Sequence, residues 1–278
     1  MPDTNKSPRL RTVDKVKPPY PLNQFPADFG QKLGKEVVYL LATKSTPSLE
    51  GSEWEQVFAS CIGAEWKPSN VGLDDVILNV CAWGAKTVKN SHPHNVGKVR
   101  LISGRNSPAY SFDEKDLAAN AQSMGDYVLK IWNARVEAVR AKFSHLRTVV
   151  LIKSNDLTEL AVFETETVLY PPDNYTWTRN LRGNLEGHEK DSKIHKFTWQ
   201  PHGSQFTIIE TVPQKCLLIK VKAPHKLDKD DVLKALDFDN CSAPLKLDTG
   251  QKQDKLCSRR SARCHEQEGI SQATIKRR

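Results

Sequence analysis

Nowhere in the 278 residues does an apolar run reach the length of about 18 that a membrane-crossing helix needs. The N-terminal stretch MPDTNKSPRLRTVDKVKPPYP holds no apolar h-region, so no secretion signal is expected in it. Glycine-rich phosphate loops, the Rossmann fingerprint, the GxSxG elbow and CxxC pairs are all missing. Nucleotide-driven and serine-hydrolase chemistry are therefore not expected. Cysteine is sparse and irregularly spaced, at 61, 81, 216, 241, 257 and 264. Cys61 and Cys81 fall inside apolar runs, where a reduced thiol packs as a small hydrophobe. That usage suits a reduced, cytoplasmic protein.

A surplus of one charge is also mostly missing. The formal net charge of +8 would by itself suggest a nucleic-acid partner. From Cys241 onward, however, nine Lys/Arg face four Asp/Glu, while the preceding 240 residues hold 32 against 29. The body is nearly balanced, so any contact with DNA has to come from local clusters. A hydrophobic content of 38% over this length can bury a good core, in one large domain or two small ones.

Residues 1–33, rich in Pro, Lys and Asp, read as an extended arm, and KEVVYLLATK (35–44) as a strand or a short helix. In SLEGSEWEQVFASCIG (48–63), Trp54, Val57, Phe58, Cys61 and Ile62 recur at helical spacing before Gly63 supplies a stop. Two short strands follow, DVILNV (75–80) and AWGAKTV (82–88), then a third in KVRLISG (98–104). A long helix is expected over about 116–143, its apolar face traced by Met124, Val128, Ile131, Trp132, Val136, Val139 and Phe143. RTVVLIKS (147–154) and ELAVFETETVLY (159–170) are rich in β-branched residues and read as strands. HKFTWQPHGSQFTIIETV and KCLLIKVK add more. This order predicts a mixed α/β (α+β) domain over 34–240, built around one central mixed sheet flanked by helices. From 241 to 278 aromatic residues are missing and periodicity stops, so that basic tail is expected to be disordered. Cys257, Cys264 and His265 give the tail's single hint of metal-ligand spacing, with no second CxxC or HxxxH partner.

The stretch VGLDDVILNVCAWGAKTVKN (71–90) carries Asp74 and Asp75 at the head of one strand and Lys86 on the next. Residues 84 and 86 share a face of their strand. Upstream, Glu53 and Glu55 flank the apolar face of the helix 48–63. Carboxylates hold Mg²⁺ through hard oxygen ligands, and Mg²⁺ keeps waters that can attack a phosphodiester. A lysine beside them can orient that water and stabilise the charge that develops on phosphate oxygens. Each feature alone also has an ordinary explanation, a turn-capping aspartate or a lysine reaching solvent. It is their order that points to chemistry.

That order resembles the PD-(D/E)XK nuclease superfamily, and within it the type II restriction endonucleases, over about residues 50–105. The resemblance implies a restriction-endonuclease-like fold and Mg²⁺-dependent, sequence-specific hydrolysis of double-stranded DNA. It matches Asp75 (or Asp74) to the metal-binding aspartate, Lys86 to the motif lysine, and Glu55 (or Glu53) to the acidic residue of the preceding helix. It also implies a homodimer and a functional pairing with a DNA methyltransferase. The chain departs from the pattern at Gly84, where the second acidic residue should stand, and lacks the proline before the aspartate.

Basic clusters supply candidates for DNA contact. GKVRLISGRNSPAYSF groups Lys98, Arg100 and Arg105 with Ser103, Asn106, Ser107 and Tyr110, on a loop set by Gly104 and Pro108. Arg and Lys neutralise phosphates, and Arg or Asn can read base edges. YTWTRNLRGNLEGHEK (175–190), read as one loop, adds Arg179 and Arg182, and KFTWQPHGSQF (196–206) is a third candidate. Glu164 and Glu166 share a strand face but lack a lysine in the right order, so they are not taken as catalytic. Two other function classes stay open: a non-catalytic nucleic-acid-binding module, which Gly84 favours, and a protein-interaction domain using the Trp-rich segments.

Overall fold

The computed structural model describes residues 16–114 and 120–238. The fold is mixed α+β with five α-helices and two sheets among these residues. The first helix, α1 (Phe29–Thr43), buries Phe29, Leu33, Val37, Leu40 and Leu41 along one stripe. Residues 29–33 are thus its opening turns and not the end of an arm, and 35–43 is helical. In α2 (Ser52–Ile62), Trp54, Val57, Phe58, Cys61 and Ile62 are buried as the periodicity predicts. The helix ends on Gly63 at φ 69°.

Sheet 1 runs β1 (Glu65–Trp66), β2 (Val76–Leu78), β3 (Cys81–Lys89), β5 (His145–Lys153), β6 (Glu159–Glu166), β11 (Leu217–Lys220). Its β3–β5 pair is parallel and the rest are antiparallel. Asn79, at φ 54°, makes the tight connection between β2 and β3. The crossover from β3 to β5 contains α3 (Pro108–Phe112) and the long α4 (Ala121–Arg140), as a parallel pair requires. Trp83, Val149, Leu151 and Val162 face α1 and α2, while Val150, Ile152, Ala161 and Phe163 face the opposite way. Strand β5 is therefore apolar on both faces, and its unbroken Val-Val-Leu-Ile run reflects that.

Only one sheet was expected, but the third strand, β4 (Lys98–Arg105), does not join the first two. It pairs with β10 (Gln205–Thr211) in an antiparallel sheet 2 of order β4-β10-β9-β8-β7, with β7 (Tyr175–Arg179), β8 (Leu185–Glu189) and β9 (His195–Gln200). Position in the chain cannot reveal this, because the partner lies about a hundred residues on. Segment 175–190, expected as a loop, is the β7–β8 hairpin. The inner face of sheet 2 packs Tyr175, Trp177, Phe197, Trp199 and Phe206 against Met124, Val128 and Trp132 of α4. Val99 and Leu101 of β4 meet Val150 and Ile152 of sheet 1. The layers are thus α1 and α2, sheet 1, then α4 with sheet 2. The compact unit holding them ends at Asp228; the described part of the second unit, 229–238, carries α5 (Lys229–Ala235).

One close approach fixes α4 against sheet 2. At Gly125 a Cβ would stand 2.2 Å from the Trp177 ring. In an open helix, Gly→Ala gains roughly 1 kcal/mol. Here Gly125→Ala reverses that sign: equilibrium urea unfolding is expected to show a loss of about 1–3 kcal/mol from overpacking.

Candidate functional site

Antiparallel pairing sets Val76 opposite Trp83, and continuing that register puts Asp75 beside Gly84. Lys86 lies two residues further along the same face of β3. It opens on a narrow cavity between the sheets, lined also by Leu101, Ser103, Thr148, Glu166 and Glu210. Asp75 is 5% exposed and accepts a hydrogen bond from the Ser69 N–H at 3.1 Å. Burial raises its carboxyl above the ordinary range; Glu55 and Asp74 push the same way, and the Ser69 N–H and Lys86 oppose them. Burial lowers the Lys86 ammonium, against the pull of Asp75 and Glu55, and Arg135 adds to the lowering. Glu55, in the first turn of α2, accepts from Trp66 Nε1 at 3.1 Å. Glu53 instead pairs with Lys44. Asp74 is 8% exposed, and its Oδ1 is buried with no hydrogen-bond partner among the described residues.

These features bear on a metal. A buried carboxylate held above its ordinary range, beside an acceptor oxygen without a donor, is a pair that a hard cation would satisfy. Glu55, Asp74 and Asp75 do not all converge within 4.8 Å. A Mg²⁺ ion held here would therefore rest on one or two of these carboxylates and keep several waters. A side chain at position 84 would be tight: a Cβ there would meet Leu73 Cα at 3.2 Å and the Gly72 carbonyl at 3.3 Å, so this backbone would have to give by a few tenths of an ångström.

Arg135 of α4 was missed by the sequence reading. Its Nη1 donates to the Ser103 carbonyl at 2.7 Å and to Asn106 Oδ1 at 3.1 Å, and Nη2 donates to the Val71 carbonyl. Burial lowers its pKa, and the Asp75 charge opposes that. The signal was a basic residue three positions after Trp132 and one before Val136, inside the apolar stripe.

Of the DNA-contact candidates, Lys98, Arg100, Arg105, Tyr110, Arg179 and Arg182 are exposed. Asn106 is a correction: it is fully buried, its Nδ2 donating to the Val128 carbonyl at 3.0 Å while Oδ1 accepts from Arg135. Ser107 is half-buried, and its hydroxyl accepts from the Tyr110 N–H and caps α3. The expected loop is likewise the end of β4 followed by α3, with Pro108 at the first helical position. Arg179 Nη1 donates to the Gly183 carbonyl across the hairpin turn. Segments 98–110 and 175–184 do come together: Arg100 and Arg182 line one open groove of about 550 Å³ with Asn180, Asn184, Glu186 and Gln200. His202 sits in a short 3-10 turn before β10. Cys257, Cys264 and His265 lie outside the described residues.

Glu164 is buried for a structural reason. It accepts from Tyr20 Oη at 2.9 Å, Trp83 Nε1 at 2.6 Å, the Asn23 N–H at 3.2 Å and Arg147 Nη1 at 3.3 Å. Glu166, the other half of the acidic pair, is half-exposed beside Arg147. Among the described residues, the group of His, Cys, Asp or Glu side chains that could converge on one ion is Glu186, His188 and His195, on the outer face of sheet 2.

No family model, curated protein or solved structure matches the chain.

Two outcomes test this description. Glu164→Ala removes the buried partner of Arg147, leaving it the half-exposed Glu166, and is expected to cost about 3–5 kcal/mol in chemical denaturation, with Glu166→Ala below about 1 kcal/mol. For Asp75 the folded pKa is raised, so the ionised group costs stability above that pKa and the cost is relieved as pH falls through it. Asp75→Asn keeps the Ser69 acceptor and removes the charge. Its Tm is expected to equal or exceed the wild type at neutral pH, with the difference closing below the ordinary carboxylate range.

Proposed function

We propose that the chain is a metal-dependent endonuclease acting on double-stranded DNA, a type II restriction enzyme of PD-(D/E)XK type with a restriction-endonuclease-like fold. The observation that carries this reading is the placement of Asp75 and Lys86 on one face of adjacent antiparallel strands, with Glu55 close enough to act on the charge of both. Asp75, with Asp74 or Glu55, would hold Mg²⁺. Bound there, the ion would supply a polarised phosphate oxygen and a coordinated water.

Lys86 does the rest from its own position. Burial lowers its pKa, so it gives up and regains a proton more readily than a solvated lysine. Its Nζ would orient the attacking water and offset charge on the phosphate oxygens, and hydrolysis would leave a 5′-phosphate. Arg100 and Arg182, in the groove, would neutralise backbone phosphates, with Lys98, Arg105 and Tyr110 as flanking contacts. A homodimer matching a palindromic site and a partner methyltransferase belong to the same proposal.

A second reading, a nucleic-acid-binding module without catalysis, is favoured by Gly84, which lacks the motif's second acidic side chain and is closely approached by the backbone of Gly72 and Leu73. Incubation of unmethylated phage DNA with Mg²⁺ or EDTA separates the two. Discrete fragments that need Mg²⁺, and whose rate falls at least about 100-fold in Lys86→Ala, support the nuclease. Intact DNA, bound with a steep salt dependence that weakens in Arg100→Ala, supports the module and overturns the nuclease.

A further inference from the structure

We infer that Glu186, His188 and His195 form a binding site for a zinc-class divalent ion on the outer face of sheet 2. The ligand set shares no residue with the Asp75–Lys86 site, although Glu186 lines the groove that also holds Arg100 and Arg182. On β8, Leu185 and Gly187 point into the core, so Glu186 and His188 point out together. His195 of β9 lies directly opposite His188 across the pair, after a register shift at Gly187. A spacing of two on one strand plus one cross-strand neighbour therefore gathers three ligand-bearing side chains over one spot. Their donor atoms lie within 4.8 Å of one another. The imidazoles are stacked, with ring centroids 4.9 Å apart and planes at 27°. Tetrahedral zinc with bonds of about 2.0–2.2 Å needs donors somewhat closer, a change that side-chain rotation can supply.

The surrounding bonds favour ligation. His195 Nε2 stands 2.7 Å from the Phe197 carbonyl and 3.1 Å from Thr198 Oγ1; the carbonyl can only accept, which assigns the hydrogen to Nε2 and the lone pair to Nδ1. A metal-binding histidine is commonly held by such a bond from its other nitrogen to a backbone carbonyl. Glu186 Oε1 accepts from Asn180 Nδ2 at 2.8 Å, which orients the carboxylate and leaves its second oxygen unused. The His188 ring makes no hydrogen bond to the described residues. Arg100 is the opposing charge nearby, and its Nη2 is engaged by Thr198 Oγ1 at 2.7 Å. Glu186 also lines the groove that holds Arg100 and Arg182, so the ion's remaining position would open toward that groove. Two histidines and a carboxylate with one open position select zinc-class ions over Mg²⁺, which prefers oxygen alone.

Calorimetric titration of the full-length apoprotein with Zn²⁺, and the visible absorption of added Co²⁺, test the site. The wild type is expected to bind one more equivalent than His188→Gln or His195→Ala, with a Co²⁺ band that both variants lose. Glu186→Gln is expected to weaken that equivalent by about 10–100-fold. The metal-free Tm of His188→Gln and Glu186→Gln should match the wild type, which keeps the test valid if His195→Ala fails to fold. No Zn²⁺ bound by the wild type, or equal stoichiometry and affinity in wild type and variants, overturns the proposal.

Discussion

The guanidinium of Arg135 ties together three segments that lie far apart in the chain. It takes the carbonyls of Val71 and Ser103 and the side chain of Asn106, and so binds α4 to the loop before β2 and to β4. Gly104, at φ 107°, is the clearance for it, since a Cβ there would stand 2.7 Å from Nη1. The same loop leads into Asp74 and Asp75. The cation that joins the two sheets therefore also sets the backbone of the acidic pair and contributes to the field around Lys86. A buried arginine with three acceptors is costly to leave half-satisfied, so these segments are positioned together.

Two buried acids show how burial separates structure from chemistry. Glu164 is surrounded by four donors drawn from Tyr20, Asn23, Trp83 and Arg147, and it pins the segment before α1 onto sheet 1. Asp75 has one backbone donor, and its neighbour Asp74 keeps a carboxylate oxygen with none. Full satisfaction fixes a fold. Partial satisfaction beside a lysine of lowered pKa is the arrangement on which the proposed metal site rests.

Much of the local structure was legible in the sequence. The apolar spacing of α2 and α4, the Asp75–Lys86 hairpin and the β-branched runs of β5 and β6 all follow from periodicity, a property of neighbours along the chain. The failures are of a different kind. Asn106 reads as a polar surface residue, and only the approach of α4 makes it a buried linker between Val128 and Arg135. Residues 175–190 read as a loop because their aromatic, Arg and Asn residues suit a flexible segment, although Tyr175 and Trp177 also alternate with polar neighbours as in a hairpin with one wet face. Glu186 and His188 were hidden for that reason, since their partner His195 is supplied by the next strand.

By itself the sequence determined much of the alternation of helices and strands and the Asp-Asp…Lys order whose register needs only a tight turn. Tertiary structure decided that there are two sheets, that β4 joins β10, that Arg135 lies beside Asp75, and that two histidines and a glutamate share a face. The dividing line is physical. Side-chain periodicity and turn chemistry act over a few residues and are written in the local sequence. Strand partners and buried charges are chosen by which distant surfaces exclude water together.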